Sequence, residues 1–382
     1  MAIVELFTKN GRPLHMADDR AFKILTLPIF SKLKINLNEH NVIKRIEVFS
    51  NDIKSTVTEE LKGRLLSLKI YAATRQHLSV IGINVQYIKN ETIISQTLAN
   101  KELRQRHTGH YLKSVKLEVL NDYKIDINQI LTITTDNGAN MVKAVHDLNA
   151  DLRNDQKDDL TENSLILIEN SFRSQIIASI RCGSHTLQLC VNDVLNKEET
   201  RHTIEKCRCV IKKLRCQIYL NILKSGAYKI SVLDCVTRWN STYNMIENLY
   251  ELKEFVTSLS LENTDLLISH EEWNFIPEFL KIFKSFYTVI VKLQSEKLLY
   301  SDLYIIIMDI ILQVENLPRS ELRVSLLSSL NKRKSKLFEN DLFNAAVYLH
   351  PRITVILNSI CTIDEFQLHQ NHVSDIENYI VN

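Results

Sequence analysis

Residues 65–98 read LLSLKIYAATRQHLSVIGINVQYIKNETIISQTL. Apolar and β-branched residues are concentrated in three short runs, at about 65–71, 78–88 and 91–98, and this pattern is typical of β-strands. The separators ATRQH and KN are short enough for hairpin connections. The stretch therefore predicts three consecutive strands in an antiparallel arrangement.

The residues that follow predict a helix and two further strands. Helical spacing of apolar residues runs through HYLKSVKLEVLNDY, and ILTITT then predicts a strand at about 129–135. The run QIIASIRC predicts a fifth strand at about 175–182. The acid-rich stretch NADLRNDQKDDLTEN, at about 149–163, has no apolar period, and we expect it to form a loop.

Helical spacing also dominates both ends of the chain. Residues 1–62 predict a helical N-terminal segment that is interrupted at Pro28 and around Asn36 to Asn41, and residues 197–382 predict a helical region. The predicted strands lie between these two segments, in residues 63–196. We therefore expect an α/β core with a helical lead-in and a large all-α region.

The composition is that of an ordinary globular protein, with 45% hydrophobic and 24% charged residues. A formal net charge of +2 does not indicate nucleic-acid binding by the whole surface, so any such surface would be local. Seven cysteines in 382 residues fit a reducing compartment better than a disulfide framework. Without a signal-peptide core or an apolar run of about 18 residues, we expect an intracellular, soluble protein.

Asp136 is the first candidate site residue. It follows the predicted strand at 129–135 and precedes an Asn-Gly pair. A carboxylate in this position lies at the edge of a sheet where metals and phosphates bind. An aspartate before Asn-Gly is also a common turn former, so the local pattern alone leaves both interpretations open.

Three sequence blocks resemble, in this order and spacing, the hAT family of DNA transposases and the host proteins derived from them. The blocks are TTDNGANMVKAV at 134–145, IRCGSHTLQLCVNDVL at 180–195 and DCVTRWNSTYNMIENL at 234–249. FNAAVYLHPRI at 343–353 is similar to the family's Ala-Ala-x-x-Leu-Asp-Pro-Arg segment, and LFTKNGRPLHMADDRAFKIL at 6–25 is similar to the stretch that introduces its catalytic core. The resemblance implies an RNase H-like core with a large all-α insertion.

The chemistry that the resemblance implies is phosphodiester hydrolysis and strand transfer by two divalent metal ions, Mg²⁺ or Mn²⁺, held by three acids. Asp136 matches the second acid. Tyr71 stands where related sequences carry the first, and a phenol with an ordinary pKa near 10 is a poor ligand for a hard metal ion. The third acid belongs to a Ser-Glu-Arg block that does not occur before the chain ends at Asn382. We therefore expect Asp136 to be a vestigial ligand and metal not to bind productively.

The resemblance also implies a BED-type zinc finger ahead of the core and a dimerisation segment after it. Neither occurs in the sequence, so we expect the helical insertion to be truncated before the final core helix. Cys182 and His185 match the family's Cys-x-x-His pair. Because zinc sites normally have four ligands, we expect this pair to be a structural motif and predict no zinc site. His350 replaces the Asp of the Leu-Asp-Pro-Arg segment, and we expect this change to remove a local salt-bridge or capping partner.

Basic residues near Cys207 and near Ser335 are candidate contacts to DNA phosphates. They are Lys206, Arg208, Lys212, Lys213 and Arg215 in the first group, and Lys332, Arg333 and Lys334 in the second. In the resembled transposases a Trp in the TRWNST block can stack near the cleaved DNA end, which adds Arg238 and Trp239. A solvated charged face and a buried core tryptophan are the alternatives.

These observations predict a hAT transposase-derived protein that is catalytically inactive and binds DNA weakly and non-specifically in the nucleus. An active metal-dependent DNA transposase or nuclease is the alternative, with Glu102, Asp122 or Asp126 replacing the first acid, although none lies at the expected strand end. A decayed or truncated transposon reading frame without selected function is a third interpretation. Homo-oligomerisation stays open because the usual dimerisation segment is missing, and no membrane partner is expected.

Overall fold

The computed structural model describes residues 2–75, 77–136, 138–158, 177–235, 239–293 and 299–350. These residues form two compact units. The first contains the described residues up to Ile133, together with 143–158 and Ile177. The second contains 134–142 and the described residues from Ala178 onward.

The described strands form one mixed sheet. They are Leu66–Arg75 (β1), Leu78–Lys89 (β2), Thr92–Glu102 (β3), Ile130–Thr135 (β4) and Ala178–Arg181 (β5). Their order in the sheet is β3-β2-β1-β4-β5. Both β1–β2 and β2–β3 are antiparallel, as the short separators predict. The expected α/β core with a large helical part is confirmed.

Strands β1 to β3 extend beyond the apolar runs that indicate them. Arg75 pairs with Leu78, so the first hairpin has a two-residue loop. The second hairpin turns at Asn90 and Glu91, which both have positive φ, 48° and 58°. Positive φ at both central residues is the geometry of a type I′ turn, which matches the twist of the flanking strands. Backbone hydrogen bonds therefore pair the polar ends of these strands as well as their apolar centres.

Several helices pack in or lead into the first unit. They are Ala2–Thr8 (α1), Arg20–Lys32 (α2), Glu39–Leu61 (α3), Gly109–Asp122 (α4) and Ala139–Asp158 (α5). The expected interruption at Pro28 is wrong, because α2 continues through it to Lys32. A proline removes one intrahelical hydrogen bond, and since no residue of α2 is buried, the freed carbonyl can be solvated.

One face of the hairpin sheet forms the apolar core of the first unit. Leu68 pairs with Val85 and Ile70 with Ile83, and all four side chains are at most 2% exposed. Glu60 of α3 pairs with Lys89 of β2, and Glu118 of α4 pairs with Lys101 of β3. Both lysines point to this side of the sheet, so α3 and α4 lie on it. The strand residues that alternate with these buried ones point to the opposite face of the sheet.

The acid-rich stretch expected as a loop is helical in its first part, because α5 continues to Asp158. Residues 159–163 lie outside the described residues. The amide of Asn149 donates to the carbonyl of Ile177 at 2.9 Å and its oxygen accepts from the backbone N–H of Ile177 at 3.0 Å. This side chain therefore holds the backbone just before β5 as a neighbouring strand would, which the apolar period could not reveal.

The second unit is helical apart from its share of the sheet. Its helices are Gly183–Leu195 (α6), Glu198–Leu214 (α7), Gln217–Ser225 (α8), Trp239–Glu251 (α9), Lys253–Ser260 (α10), His270–Leu293 (α11), Asp302–Glu315 (α12), Glu321–Phe338 (α13) and Asp341–Tyr348 (α14). Phe279, Phe283 and Phe286 of α11 are fully buried at its centre. In the described part of the chain, no helix combines the length and apolar character needed to cross a bilayer.

Candidate functional site

Tyr71 lies in the middle of β1 and is 46% exposed. It pairs in register with Gly82, and a Cβ built on Gly82 would lie 2.1 Å from Cζ, 2.4 Å from Oη and 2.5 Å from Cε2 of the ring. Such nearly equal distances mean that the ring lies with its face, not its edge, over the glycine. The Tyr71 hydroxyl donates to Oδ1 of Asn100 on β3 at 3.4 Å. The side chain thus reaches away from β4, across β2, and covers the glycine of the neighbouring strand.

Asp136 follows the last residue of β4, as the sequence predicts. Its Oδ1 accepts from the backbone N–H of Gly138 at 3.1 Å, so the carboxylate stabilises the turn that leads into α5. On the same edge, the N–H of Cys182 donates to the carbonyl of Thr135 at 2.9 Å. The turn-former interpretation of Asp136 therefore describes its contacts in the structure.

The three acids that the alternative interpretation puts in the role of the first metal ligand each have a local structural contact. Glu102 pairs with Arg104 at 3.1 Å, and Asp122 pairs with Lys54 at 3.5 Å. Asp126 caps a short 3-10 helix by accepting from the N–H of Asn128 at 2.9 Å. Within the described ranges, no three His, Cys, Asp or Glu side chains are grouped so that they could hold a metal ion. The described residues therefore do not fit a two-metal site.

Cys182 and His185 lie at the start of α6, where both are half-buried. Cys182 is the N-cap residue but makes no capping bond with its side chain. Its carbonyl accepts from both the N–H and the hydroxyl of Thr186, at 2.9 and 3.0 Å. A Cβ on the next residue, Gly183, would lie 2.8 Å from Cδ1 of Leu303, so α6 begins in close contact with α12. The contacts of this block are those of helix initiation and packing.

Arg208 is a structural residue rather than a free cation. Its guanidinium donates two hydrogen bonds to Asp234, from Nε to Oδ1 at 2.8 Å and from the terminal nitrogen to Oδ2 at 2.7 Å. The Asp234 side chain is fully buried and also accepts from the Thr242 hydroxyl at 2.9 Å. Burial alone would raise the pKa of Asp234, but the bonds from Arg208 and Thr242 outweigh it and hold that pKa below its usual range. The expectation that Arg208 contacts DNA is corrected by this pairing.

The other basic residues of α7 divide into engaged and free ones. Lys213 forms an ion pair with Asp265, and Arg215 donates to the carbonyl of Ser231 at 2.8 Å. The hydrogen bond from Lys213, with the charges of Lys213 and Lys206, holds the pKa of Asp265 below its usual value. Lys212 is exposed and has no ion-pair partner among the described residues. Arg208 and Lys213 are therefore in ion pairs, whereas Lys206, Lys212 and Arg215 form none with the described residues and keep their charge.

On α13, Arg333 is also engaged. It donates to Asp193 of α6 at 2.5 Å and to the hydroxyl of Ser329 at 2.6 Å, and its side chain is only 16% exposed. Lys332 is exposed and Lys334 is half-buried. Because successive helical residues are about 100° apart, Lys334 lies on the opposite side of α13 from Lys332. The pairing partners Asp193 and Asp234 were not singled out in the sequence, since each lies far from its arginine along the chain.

Trp239 is 2% exposed at the start of α9, which corrects its expected role in base stacking. Its ring centroid lies 6.2 Å from that of Phe283, 6.5 Å from Tyr243 and 6.4 Å from Tyr287. The indole therefore has no surface on which a base could lie. Arg238, the neighbouring candidate, falls outside the described residues.

His350 contacts a residue at the start of α12. It is 7% exposed, and its Nε2 lies 3.3 Å from Oδ1 of Asp302, at the start of α12. This contact joins residues 48 apart in the chain, so the loss of a local salt-bridge or capping partner stays a prediction. An imidazole can pair with an acid where an aspartate could not, and His350 makes such a polar contact at this buried position.

Comparisons with known proteins match several parts of this chain. A family model described as the ZBED1 RNase-like helical domain matches residues 180–281. A Talaromyces stipitatus protein named as the transcriptional regulator tpeD is 28% identical over 232 residues, which cover 52% of the chain and 26% of that protein. A Zea mays protein named as an AC transposase is 22% identical over 305 residues, covering 72% of the chain and 36% of that protein.

The zinc finger BED domain-containing protein RICESLEEPER 3 of Oryza sativa subsp. japonica is 24% identical over 288 residues, covering 71% of the chain and 36% of that protein. The chain thus spans little more than a third of the length of these relatives at most. The names and the matched segment confirm the family resemblance that the sequence blocks carry.

Proposed function

We propose that this hAT-transposase-derived protein is catalytically inactive and binds DNA weakly in the nucleus, without reading its sequence. Tyr71 carries the first part of the proposal. The phenol occupies the position where the resemblance implies an acid. Its ring covers Gly82, and its hydroxyl donates to Asn100. Among the described residues, no group of three potential metal ligands includes Asp136, whose carboxylate stabilises its own turn. A carboxylate and a phenol do not by themselves provide the charge that two divalent ions need.

The DNA-binding part rests on an exposed stripe of α13, because Arg208, Lys213 and Arg333 are held in ion pairs. We define the α13 basic stripe as Ser328, Asn331, Lys332, Ser335 and Lys336, which are all exposed. Lys332 and Lys336 are one helical turn apart, and neither has an ion-pair partner among the described residues. Lysines with amide and hydroxyl groups beside them are typical phosphate contacts. The relatives named as a transposase and a BED zinc finger protein support DNA as the partner.

Two phosphate contacts give a modest, salt-sensitive affinity. Each neutralised phosphate of a duplex contributes about −0.9 to the slope of log affinity against log salt, so two contacts give about −1.8. Between about 50 and 200 mM salt the affinity should then fall roughly 12-fold. A protein that bound through many more cations would show a much steeper fall.

A salt series measured by fluorescence anisotropy with two unrelated DNA duplexes tests this surface. We expect similar affinities for both sequences, and Lys332→Gln/Lys336→Gln should remove most of the binding and of its salt dependence. The matched control is Lys281→Gln/Lys284→Gln, which removes the same charge from two exposed lysines of α11. No binding at low ionic strength, or equal losses in both double variants, would contradict the proposal.

Catalytic inactivity is tested with terminal-repeat DNA incubated with Mg²⁺ or Mn²⁺. We expect no nicking above background from the wild-type protein. The alternative function, an active transposase or nuclease, would appear as nicking that is lost in Asp136→Asn. That result would mean that acids outside the arrangement described above complete a metal site.

The nuclear part of the proposal follows from the DNA-binding part, because such binding requires access to the genome. Imaging of the tagged full chain in a eukaryotic cell tests it. Exclusion from the nucleus would contradict this part while leaving the measured DNA affinity unaffected.

A further inference from the structure

The second face of the β1–β3 hairpin sheet carries polar residues around one exposed aromatic ring, with the exposed apolar residues Leu78, Ile88 and Ile93 towards the strand ends. Register places Lys69, Tyr71 and Arg75 of β1 on this face, opposite the buried Leu68 and Ile70. Gly82 and Asn84 of β2 lie beside them, paired with Tyr71 and Lys69, and Asn100 of β3 follows in the same row as Gly82. We call these six residues, Lys69, Tyr71, Arg75, Gly82, Asn84 and Asn100, the polar sheet face.

The ring of Tyr71 is held roughly parallel to the sheet. One of its faces covers Gly82, where a Cβ would be only 2.1 Å from Cζ, and its hydroxyl bonds to Asn100. Because 46% of the residue remains exposed, the other face of the ring is available to a ligand. A ring that is already positioned loses little conformational freedom on binding. Glycine at position 82 is what makes this arrangement possible.

The charge around the ring is positive. At about 3.4 Å per residue, Lys69 lies roughly 7 Å and Arg75 roughly 14 Å from Tyr71 along β1. Neither cation has an ion-pair partner among the described residues, and the acid on this face, Glu102, is already paired with Arg104. Two unpaired cations on either side of an exposed ring match a ligand that has both flat apolar groups and spaced negative charges.

Asn84 adds a hydrogen-bonding group next to the ring. Its side-chain oxygen has no hydrogen-bond partner among the described residues. Rotation of the amide would present either a donor or an acceptor to a ligand.

We infer that the polar sheet face binds single-stranded nucleic acid, with a base stacked on Tyr71 and the adjoining phosphates against Lys69 and Arg75. A ring parallel to the sheet requires a base that also lies parallel to it with a free face, which a strand supplies and an intact duplex does not. The inference shares its ligand class with the proposed function and therefore rests on it in part, but it uses a different surface. The position of a lost acid would then have become a stacking site.

The test is anisotropy with a labelled oligothymidine of about 12 nucleotides at low salt. Loss of a stacked base costs about 5- to 150-fold in affinity, so we expect a loss in this range for Tyr71→Ala and wild-type affinity for Tyr71→Phe. Tyr71→Leu still covers Gly82 but lacks an aromatic face, so it should bind as poorly as Tyr71→Ala while folding normally by circular dichroism. The control Tyr250→Ala removes a tyrosine of similar exposure, 40%, from α9 and should have no effect.

Ultraviolet cross-linking to a strand that contains 5-bromouracil should attach the base to a peptide that includes Tyr71. Unchanged single-strand affinity in both Tyr71→Ala and Tyr71→Leu, or a cross-link that lies only on α13, would overturn the inference. If duplex binding still depended on Lys332 and Lys336 in that case, the proposed function would stand. If the wild-type protein bound no duplex but still formed the Tyr71 cross-link to the single strand, the proposed α13 surface would be rejected instead.

Discussion

Replacing Asp234 by alanine should destabilise the helical unit more than any exposed ion pair could. The substitution leaves the Arg208 guanidinium, 17% exposed, without its two hydrogen bonds and the Thr242 hydroxyl without its acceptor. Removing one partner from a buried, hydrogen-bonded pair costs about 3–5 kcal/mol, because the other charge stays buried and unpaired. We expect Asp234→Ala to lower the free energy of unfolding by this amount.

Urea unfolding followed by circular dichroism at 222 nm measures the effect. The matched control is Asp265→Ala, which breaks the pair that another α7 residue, Lys213, makes with a 68% exposed acid. Exposed pairs contribute about 0–1 kcal/mol, so this variant should unfold close to the wild type. If both variants lost the same stability, the burial argument would be refuted. Replacing both members of the Arg208–Asp234 pair by apolar residues should recover much of the loss.

The same pair gives a pH dependence with a defined sign. The pKa of Asp234 is lowered in the folded state, despite the opposing effect of burial, by its bonds to Arg208 and Thr242. Its contribution is therefore complete above the unfolded pKa of about 3.9 and is lost as pH falls through the lower folded pKa. The stability difference between wild type and Asp234→Asn should be constant near neutrality and should shrink below about pH 4. A difference that grew in acid would contradict the sign.

Three further substitutions or reactions test other contacts. Gly82→Ala should push the Tyr71 ring off the sheet, since the new Cβ would be 2.1 Å from Cζ, and single-strand affinity should fall with little change in stability, measured by anisotropy and urea unfolding. Asn149→Ala should cost about 1–3 kcal/mol and speed hydrogen exchange of the Ile177 amide, because the N–H and C=O of that residue lose their partners. At pH 8, Ellman's reagent should modify exposed Cys209, Cys216 and Cys235 before Cys190 and Cys207, whose thiol pKa burial raises to about 12.

The strands and their order could be predicted from the sequence because period-two patterning and short separators are local properties. The length of α5 could not, because the acid-rich stretch lacks the apolar period that indicates a helix. The two bonds between Asn149 and Ile177, 28 residues apart, also leave no sign in the local pattern. Local signals thus located the elements but not the tertiary contacts between them.

The same difference between local patterns and long-range contacts applies to the candidate site. Asp136 follows β4 as its strand position predicts, whereas Tyr71 lies in the middle of β1 and not at the predicted strand end, because β1 continues to Arg75. Free cations could not be separated from paired ones, since Arg333 finds Asp193 140 residues away along the chain. The burial of Trp239 depends on aromatic neighbours from α11 that no local pattern identifies. Sequence therefore identified charges, and only the fold showed which of them are already neutralised.

The contact between Tyr71 and Gly82 also bears on the proposal that Tyr71 stands in place of a lost acid. A single base change converts a tyrosine codon into an aspartate codon, so reversion would be a short mutational step. The shorter side chain would uncover Gly82 and remove the donor to Asn100, and it would join no group of three potential metal ligands among the described residues. Under this proposal the ring makes the substitution easier to retain than to reverse, because the neighbouring strands use the tyrosine side chain.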